Sequence, residues 1–302
     1  MRRSQFCLIA LLMWGICLPG GAWAGNDDAD TVRLWQRNYT SPPIHRLVEL
    51  ALEKTPEFGP ADIKPSLPMS QARALVHLEQ DNRDQLRVAN VATSPSREER
   101  LQPIAIPIDR GLLGFRVCLI RDNTQEEFDD ILTAGQWQER NLSIGQGAHW
   151  PDTAILRANG FEVVTSPRFS NLFAMLKLER FDCFMRGIGE ILIDLENYEG
   201  SGVKVEDNLV FSYQLPSYLF VSPEDIELAH RLELGLRRAI EDGDYDEFFD
   251  DYFRRPIHEL GLFRRTFIPL ENPMLGIDER GPTIPMIPVR PEDFTPFPAD
   301  GR

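Results

Sequence analysis

The feature that most constrains the fold is a strand–turn–helix pattern that occurs twice in succession between residues 143 and 190. Short apolar runs with the length of buried strands lie at 142–144, 161–165 and 181–185. Segments with helical spacing of apolar residues lie between them, at 153–159 and 170–180. Strands that alternate with helices are typical of a parallel sheet, so this block predicts an α/β protein.

A glycine-containing turn leads into the first of these helices. Residues 144–150 read Ile-Gly-Gln-Gly-Ala-His-Trp, and Asp152 stands where a helix cap is expected. Backbone N–H groups at a helix start lack intrahelical acceptors and can hold a negatively charged group. The turn is therefore a candidate anion-binding element.

The rest of the chain continues the alternation. Further strands are predicted at 31–35, 62–65, 86–92, 111–120, 209–213 and 218–221. Further helices are predicted at 43–54, from Ser70 to about 78, at 190–198, from 223 to about 242, and at 245–254. A polar loop is predicted at 93–100, and the proline-rich segment 269–302 is expected to be an extended strap or a loose tail.

The N-terminus indicates export. Arg2 and Arg3 precede an apolar run at 6–18, and Ala22-Trp23-Ala24 is a small-x-small cleavage sequence. This pattern predicts a signal peptide at 1–24, cleaved near Ala24, and hence a periplasmic protein. No later stretch has transmembrane length, so we expect no stable membrane insertion.

Charge and motifs narrow the function. A formal net charge of −15 disfavours binding to nucleic acid. The five histidines form no zinc-ligand spacing, and neither a phosphate-binding loop nor a nucleophile elbow is present in the sequence. We therefore expect a monomeric protein without a cofactor or metal, and not an enzyme.

Two cysteines, Cys118 and Cys183, remain after the signal peptide, each inside an apolar strand. An oxidising compartment permits a disulfide, but spacing alone does not show that the two residues meet. We favour two buried thiols that pack as small hydrophobes over a disulfide.

Four segments between about residues 30 and 260 match sequence patterns of a known protein family. Thr93–Arg97 matches a Thr-x-x-Arg-type loop, and Ile104–Pro107 matches a strand that leads to an interlobe crossover. Residues 144–149 and 176–183 loosely match a glycine turn and a Leu-x-x-Gly-Arg-x-Asp-Ala strand. In these features the chain resembles the family 3 extracellular solute-binding proteins, the periplasmic components of amino-acid ABC importers.

The resemblance implies a two-lobed type 2 periplasmic-binding-protein (Venus-flytrap) fold with two hinge strands. Lobe 1 would comprise 26–120 and 214–268, lobe 2 would comprise 121–213, and 269–302 would be a C-terminal extension. Such proteins close about a hinge when a ligand bridges the lobes.

The resemblance also implies ligand-binding residues. Arg97 would bind a ligand carboxylate with Thr93 beside it, and Arg100 is a register-shifted alternative. Tyr39 or Trp35 would pack on the ligand, although packing in the core is the more ordinary role for Trp35.

The second lobe departs from the family pattern. His149 and Trp150 replace hydroxyl-bearing residues of the turn, and Arg186 stands where an acid that meets a ligand ammonium is usual. Arg186 would attract an anion, unless Glu190, one helical turn later, neutralises it in an ion pair.

We therefore expect an exported solute-binding protein for a small carboxylated solute, amino-acid-like or an organic acid. It would present the solute to an ABC permease or a membrane sensor. Two alternatives stay open. One is an enzyme on the same scaffold, similar to cyclohexadienyl dehydratase, with Glu190 or His149 as general acid. The other is a partner protein whose cleft has lost ligand binding and is filled by side chains.

Overall fold

The computed structural model describes residues 30–197, 202–275 and 286–288. The predicted signal peptide, 1–24, lies outside the described residues, as does most of the predicted C-terminal extension. None of the helices within the described ranges is long and apolar enough to cross a membrane.

The first group of elements contains two small sheets. Strands β1 (Asp30–Leu34) and β2 (Ala61–Pro65) pair in parallel, and β11 (Ser217–Val221) lies antiparallel between β3 (Ala89–Ala92) and β4 (Gln102–Ile104). The helices of this group are α1 (Gln36–Tyr39), α2 (Pro42–Glu53), α3 (Gln71–Glu79), α4 (Pro95–Arg100), α9 (Ile226–Glu241) and α10 (Asp244–Glu259).

The second group is built on a seven-stranded mixed sheet. Its strands are β5 (Phe115–Arg121), β6 (Ser143–Gly147), β7 (Glu162–Ser166), β8 (Cys183–Gly187), β9 (Val203–Val205), β10 (Leu209–Ser212) and β12 (Thr266–Pro269). Its helices are α5 (Ala134–Glu139), α6 (Pro151–Ala158), α7 (Phe169–Lys177) and α8 (Ile191–Asn197). Strands β7, β6 and β8 are neighbours and parallel, as the repeated pattern at 143–190 predicts.

The side chains of β8 show how this sheet is buried. Phe184 packs into one hydrophobic cluster, whereas Cys183 and Met185 pack into the other, and all three are fully buried. A strand covered on both faces reads as a continuous apolar run, which is why this segment was recognisable in the sequence.

Three described segments connect the groups, at 105–114, 213–216 and 260–265, and the first two lie against each other. The N–H of Tyr213 donates to the carbonyl of Gly114 at 3.1 Å, and a Cβ atom on Gly114 would overlap the Tyr213 carbonyl. The lobe boundaries given above remain a prediction. Strand pairing places β5, and β12 at 266–269, in the seven-stranded sheet of the second group. The predicted boundaries instead assign most of both strands to lobe 1.

Cys118 and Cys183 form a disulfide, so the expectation of two separate thiols is wrong. Strand β5 lies antiparallel to β8, and their register brings the two Cα atoms to 5.1 Å. This distance is within the range that a disulfide requires.

Two local predictions also need correction. The segment predicted as a loop at 93–100 contains the short helix α4, with Pro95 in its first turn, a position that suits proline. Helix α6 begins one residue after Trp150, so Asp152 lies inside the first turn and its carboxylate faces the protein interior. By contrast, Ser70 caps α3 as predicted and accepts from the N–H of Arg73.

Candidate ligand-binding cleft

A cleft of about 1070 Å³ lies between the two groups of elements. The first group contributes Trp35, Arg37, Asn38 and Asn90, among others. The second contributes residues 147–152, Phe169, Arg186, Glu190 and Asp194, among others. The cleft therefore has walls from both groups, and both carry charged side chains.

The structure brings four of the seven predicted site residues to this cleft: His149, Trp150, Arg186 and Glu190. Thr93 and Arg97 are buried and do not line it, and Tyr39 lines a separate cavity of about 610 Å³ next to His45. Of the two aromatic candidates it is Trp35 that reaches the cleft, with its indole N–H bonded to the carbonyl of Met69 at 3.1 Å.

Arg97 makes a contact between the two groups of elements. Its side chain is 4% exposed, and its Nη2 donates to the carbonyl of His149 at 2.9 Å while Nη1 donates to the carbonyl of Ala92. Burial lowers the pKa of Arg97 to about 10, and Asp152 acts in the opposite direction. The guanidinium predicted to hold a ligand carboxylate is thus bonded to the backbone on both sides.

The neighbours of Arg97 in sequence point elsewhere. The hydroxyl of Thr93 donates to the carboxylate of Glu98, and its N–H donates to the carbonyl of Pro216 at 2.8 Å. Arg100, the register-shifted alternative, is exposed and forms an ion pair with Glu79 on α3.

Arg186 lies deep in the cleft between acids and aromatic rings. Its Nε donates to Asp194 at 2.5 Å, and its Nη1 lies 3.3 Å from Glu190. Burial acts to lower the pKa of Arg186, but the two carboxylates outweigh it and raise the pKa, so the guanidinium is charged. The ion pair with Glu190 is the one that the sequence suggested, and Asp194 is a second partner.

Glu190 stands between two guanidinium groups. Its Oε2 lies 3.3 Å from Arg186 and 3.5 Å from Arg116, both longer than a normal charge-assisted hydrogen bond. Its side chain is 41% exposed. Burial acts to raise the pKa of Glu190, but Arg186, Arg116 and Arg37 outweigh it and hold the pKa below its usual range.

A buried polar network supports the floor of the cleft. Asp152 accepts from Arg116 at 2.6 Å and from the hydroxyl of Tyr213 at 2.7 Å, and all three side chains are buried. The network joins α6, β5 and the connecting segment 213–216. A buried charge that is paired and hydrogen-bonded in this way is tolerated, whereas an unpaired one is costly.

Two backbone N–H groups of the glycine turn are bonded within the protein. The N–H of Ala148 donates to Ser166 at 2.9 Å, and the N–H of Trp150 donates to Gly147 at 3.0 Å. Gly147 is needed there because a Cβ atom would overlap the indole of Trp150. The turn holds the ring of Trp150 against Gly147.

No protein-family model matches the sequence, and no curated protein matches it. Solved structures do match. An ancestral arginine-binding protein bound to arginine has a TM-score of 0.55 and 16% identity, over 74% of this chain and 98% of that one.

Two further solved structures agree. An amino-acid ABC transporter substrate-binding protein of Streptococcus pneumoniae, bound to L-arginine, has a TM-score of 0.56 and 14% identity over 75% of this chain and 96% of that one. The arginine-, lysine-, histidine-binding protein ArtJ of Geobacillus stearothermophilus has a TM-score of 0.53 and 11% identity over 78% and 100%. The chain has the two-lobed periplasmic-binding-protein fold.

The periplasmic-binding-protein fold confirms the predicted fold class, and the resemblance stated from the sequence holds at the level of the fold. In this fold the cleft described above is the interlobe cleft. Arg37 lines it from the first group of elements, and Arg186 and Glu190 line it from the second. Within the described ranges no cluster of three or more His, Cys, Asp or Glu side chains is placed to hold a metal ion.

The periplasmic-binding-protein cleft contains residues that the sequence reading missed. Arg37 stacks over Phe169 with its Cζ 4.0 Å from the ring centroid, which is a second contact between the lobes. Arg116 was detectable as the one charge inside the apolar run 115–120. Asp194 was detectable because it follows Glu190 by four residues on a predicted helix. Phe169 carried no signal, since an aromatic residue before a helix is usually core.

Proposed function

We propose that this chain is an exported solute-binding protein that captures a small carboxylated solute in the interlobe cleft and presents it to an ABC transporter or a membrane sensor. The observation that carries the proposal is a cleft of about 1070 Å³ walled by both lobes, with arginines and carboxylates facing into it. That volume suits a small molecule. Amino-acid binding by proteins of the same fold supports the solute class.

The charges of the cleft favour an amino-acid-like solute over a simple dianion. Its lining includes four arginines and four acidic residues, although the whole chain carries −15. Arg37 and Arg168 line the cleft together with Arg116 and Arg186, and Arg37 lies over the ring of Phe169 on the opposite wall. A ligand carboxylate would meet Arg37, and a ligand donor would meet the exposed part of Glu190.

Two features weigh against the alternatives. An open cleft of this size does not fit a partner protein whose cleft is filled by side chains. The arginines around Glu190 keep its carboxylate ionised near neutral pH, which suits it to accept a hydrogen bond and not to act as a general acid.

The direct test is native mass spectrometry of the mature protein with whatever it retains from the periplasm. It is followed by thermal unfolding and calorimetry with a panel of amino acids and organic acids. We expect one carboxylated solute to raise the unfolding midpoint. Arg37→Ala and Glu190→Gln should each weaken its binding at least about tenfold, the equivalent of one lost interaction of about 1.4 kcal/mol.

Control variants are available on neighbouring elements. Arg46→Ala changes a half-buried arginine on α2, and Glu196→Gln changes an exposed acid on α8; neither residue lines the cleft. Both should leave affinity unchanged. Binding that survives Arg37→Ala and Glu190→Gln would remove the cleft assignment, and chemical turnover of the solute would favour the enzyme.

A further inference from the structure

The side chain of Arg186 is surrounded in the way that a bound guanidinium ligand would be. Its Cζ lies 5.2 Å from the ring of Trp150, 5.1 Å from that of Phe169 and 5.7 Å from that of Phe184. Cations are attracted to aromatic faces at such distances. Asp194 and Glu190 supply two carboxylates to the same guanidinium. Three rings and two acids therefore surround one cation that belongs to the chain itself.

The aromatic walls are held by the protein and not by Arg186 alone. The rings of Trp150 and Phe184 stack at 6.5 Å, and Phe169 contacts both of them. Phe173 packs against Phe169 and Phe184 from behind.

The two acids are held in the same way. Glu190 directly precedes α8, and its carbonyl accepts from the N–H of Asp194 at 3.1 Å. The surroundings of Arg186 should therefore keep their shape when its side chain is removed.

We propose that Arg186 is the resident occupant of a guanidinium-binding site in the cleft, and that it makes the cleft reject cationic amino acids. The reason is electrostatic: Asp194 and Glu190 are already paired with Arg186, and Asp152 with Arg116, so the side-chain cation of such an amino acid would add a further positive charge beside two guanidinium groups. The selectivity part rests on the proposed solute-binding function. The site itself does not depend on that function.

The test removes the occupant and offers a substitute. Arg186→Ala is titrated with ethylguanidinium, and thermal unfolding is followed. Ethylurea is the control of the same shape without charge, and ethylammonium is the control with a point charge. We expect ethylguanidinium to raise the unfolding midpoint of Arg186→Ala by at least ~2 °C at saturation. It should not raise the midpoint of the wild type comparably, and neither control compound should raise that of Arg186→Ala.

Two further variants distinguish a preformed guanidinium-binding site from an unspecific cavity. Arg186→Lys keeps a cation in place and should not respond to ethylguanidinium. Arg186→Ala/Asp194→Asn removes the carboxylate that contacts Nε, and should bind ethylguanidinium at least about tenfold more weakly than Arg186→Ala does. Equal responses in Arg186→Ala and in this double variant would overturn the proposal, as would equal responses to ethylguanidinium and ethylurea.

Removal of Arg186 leaves two carboxylates without their buried partner. For an Arg186→Ala variant that does not fold unaided, the yield of refolding from urea replaces the unfolding midpoint as the measurement. A yield that ethylguanidinium does not raise above that in ethylurea overturns the proposal.

The rejection of cationic amino acids is measured with L-arginine. The wild type should not be stabilised by L-arginine, and Arg186→Ala should bind L-arginine at least about tenfold more tightly than the wild type does. Wild-type binding of L-arginine overturns the selectivity claim. If ethylguanidinium rescues Arg186→Ala but the wild type binds no carboxylated solute, the guanidinium site stands and the proposed function fails.

Discussion

The guanidinium of Arg97 donates a hydrogen bond of 2.9 Å to the carbonyl of His149, and this bond joins the first lobe to the second. A ligand in a two-lobed protein normally supplies such contacts when the lobes close. Here the chain supplies one itself, and the stacking of Arg37 on Phe169 is another. Both contacts would hold the two lobes together before any solute binds.

Arg97→Ala is therefore expected to open the protein. The closed form would lose a charge-assisted hydrogen bond worth about 1.5–3 kcal/mol, which shifts the ratio of closed to open forms at least about tenfold. Small-angle X-ray scattering of the unliganded protein should show a larger radius of gyration in the variant. Arg100→Ala, on the same helix but paired with Glu79 inside the first lobe, should leave the radius unchanged. Equal radii of gyration for Arg97→Ala and the wild type would contradict the role of Arg97 in holding the lobes together.

The disulfide is expected to contribute strongly to stability. Cys118 and Cys183 are 65 residues apart, and a loop of that length corresponds to about 4 kcal/mol of lost unfolded-state entropy. Cys118→Ala/Cys183→Ala should reduce the free energy of unfolding by about this amount in urea titrations. Adding a reductant to the wild type should do the same, and should have no effect on the double variant. If a reductant does not change the free energy of unfolding of the wild type, the disulfide does not form in solution.

Structural features that depend on residues close together in sequence could be predicted, whereas features that depend on residues far apart could not. The strands and helices of 143–190 follow from apolar spacing and from turn residues, which are properties of neighbouring positions. The meeting of Cys118 and Cys183 depends on the register between β5 and β8, which no local pattern specifies.

Side-chain direction was the second limit. Arg97 and Asp152 were both assigned roles at helix starts or in loops, and both point into the protein interior because partners distant in sequence lie there. For Arg97 the partner is His149, and for Asp152 the partners are Arg116 and Tyr213. The ion pair of Arg186 with Glu190 was foreseeable because the two residues are only four positions apart.

The network under the cleft should be sensitive to single-atom changes. Tyr213→Phe deletes the hydroxyl that donates to Asp152 at 2.7 Å and is expected to cost roughly 1–3 kcal/mol. Asp152→Asn removes the carboxylate that contacts the buried guanidinium of Arg116 at 2.6 Å and leaves it only Glu190, at 3.5 Å, so it should cost more, about 3–5 kcal/mol.

Urea denaturation measures both costs. Tyr252→Phe, a partly buried tyrosine on α10, serves as the control and should change stability by less than about 0.5 kcal/mol. An Asp152→Asn variant as stable as the wild type would mean that Arg116 finds another partner.

Asp109 is expected to make stability depend on pH. It lies in the connecting segment at the edge of the cleft, is 6% exposed, and accepts from the N–H groups of Gly111 and Leu113. Burial is the main cause that raises its pKa from 3.8 to about 7, with Glu190 adding to the effect and the two N–H groups and Arg116 opposing it. The folded protein therefore holds the Asp109 proton more tightly than the unfolded chain does.

The sign of the effect follows from that difference. The contribution of Asp109 is fully present below about pH 4 and is lost as the pH rises through about 7, a change of a few kcal/mol. The free energy of unfolding of the wild type minus that of Asp109→Asn should fall over this interval, because the asparagine does not titrate. The same subtraction with Asp122→Asn, an exposed acid, is the control. A difference for Asp109→Asn that stays constant from about pH 4 to about pH 8 would show that Asp109 is ionised throughout.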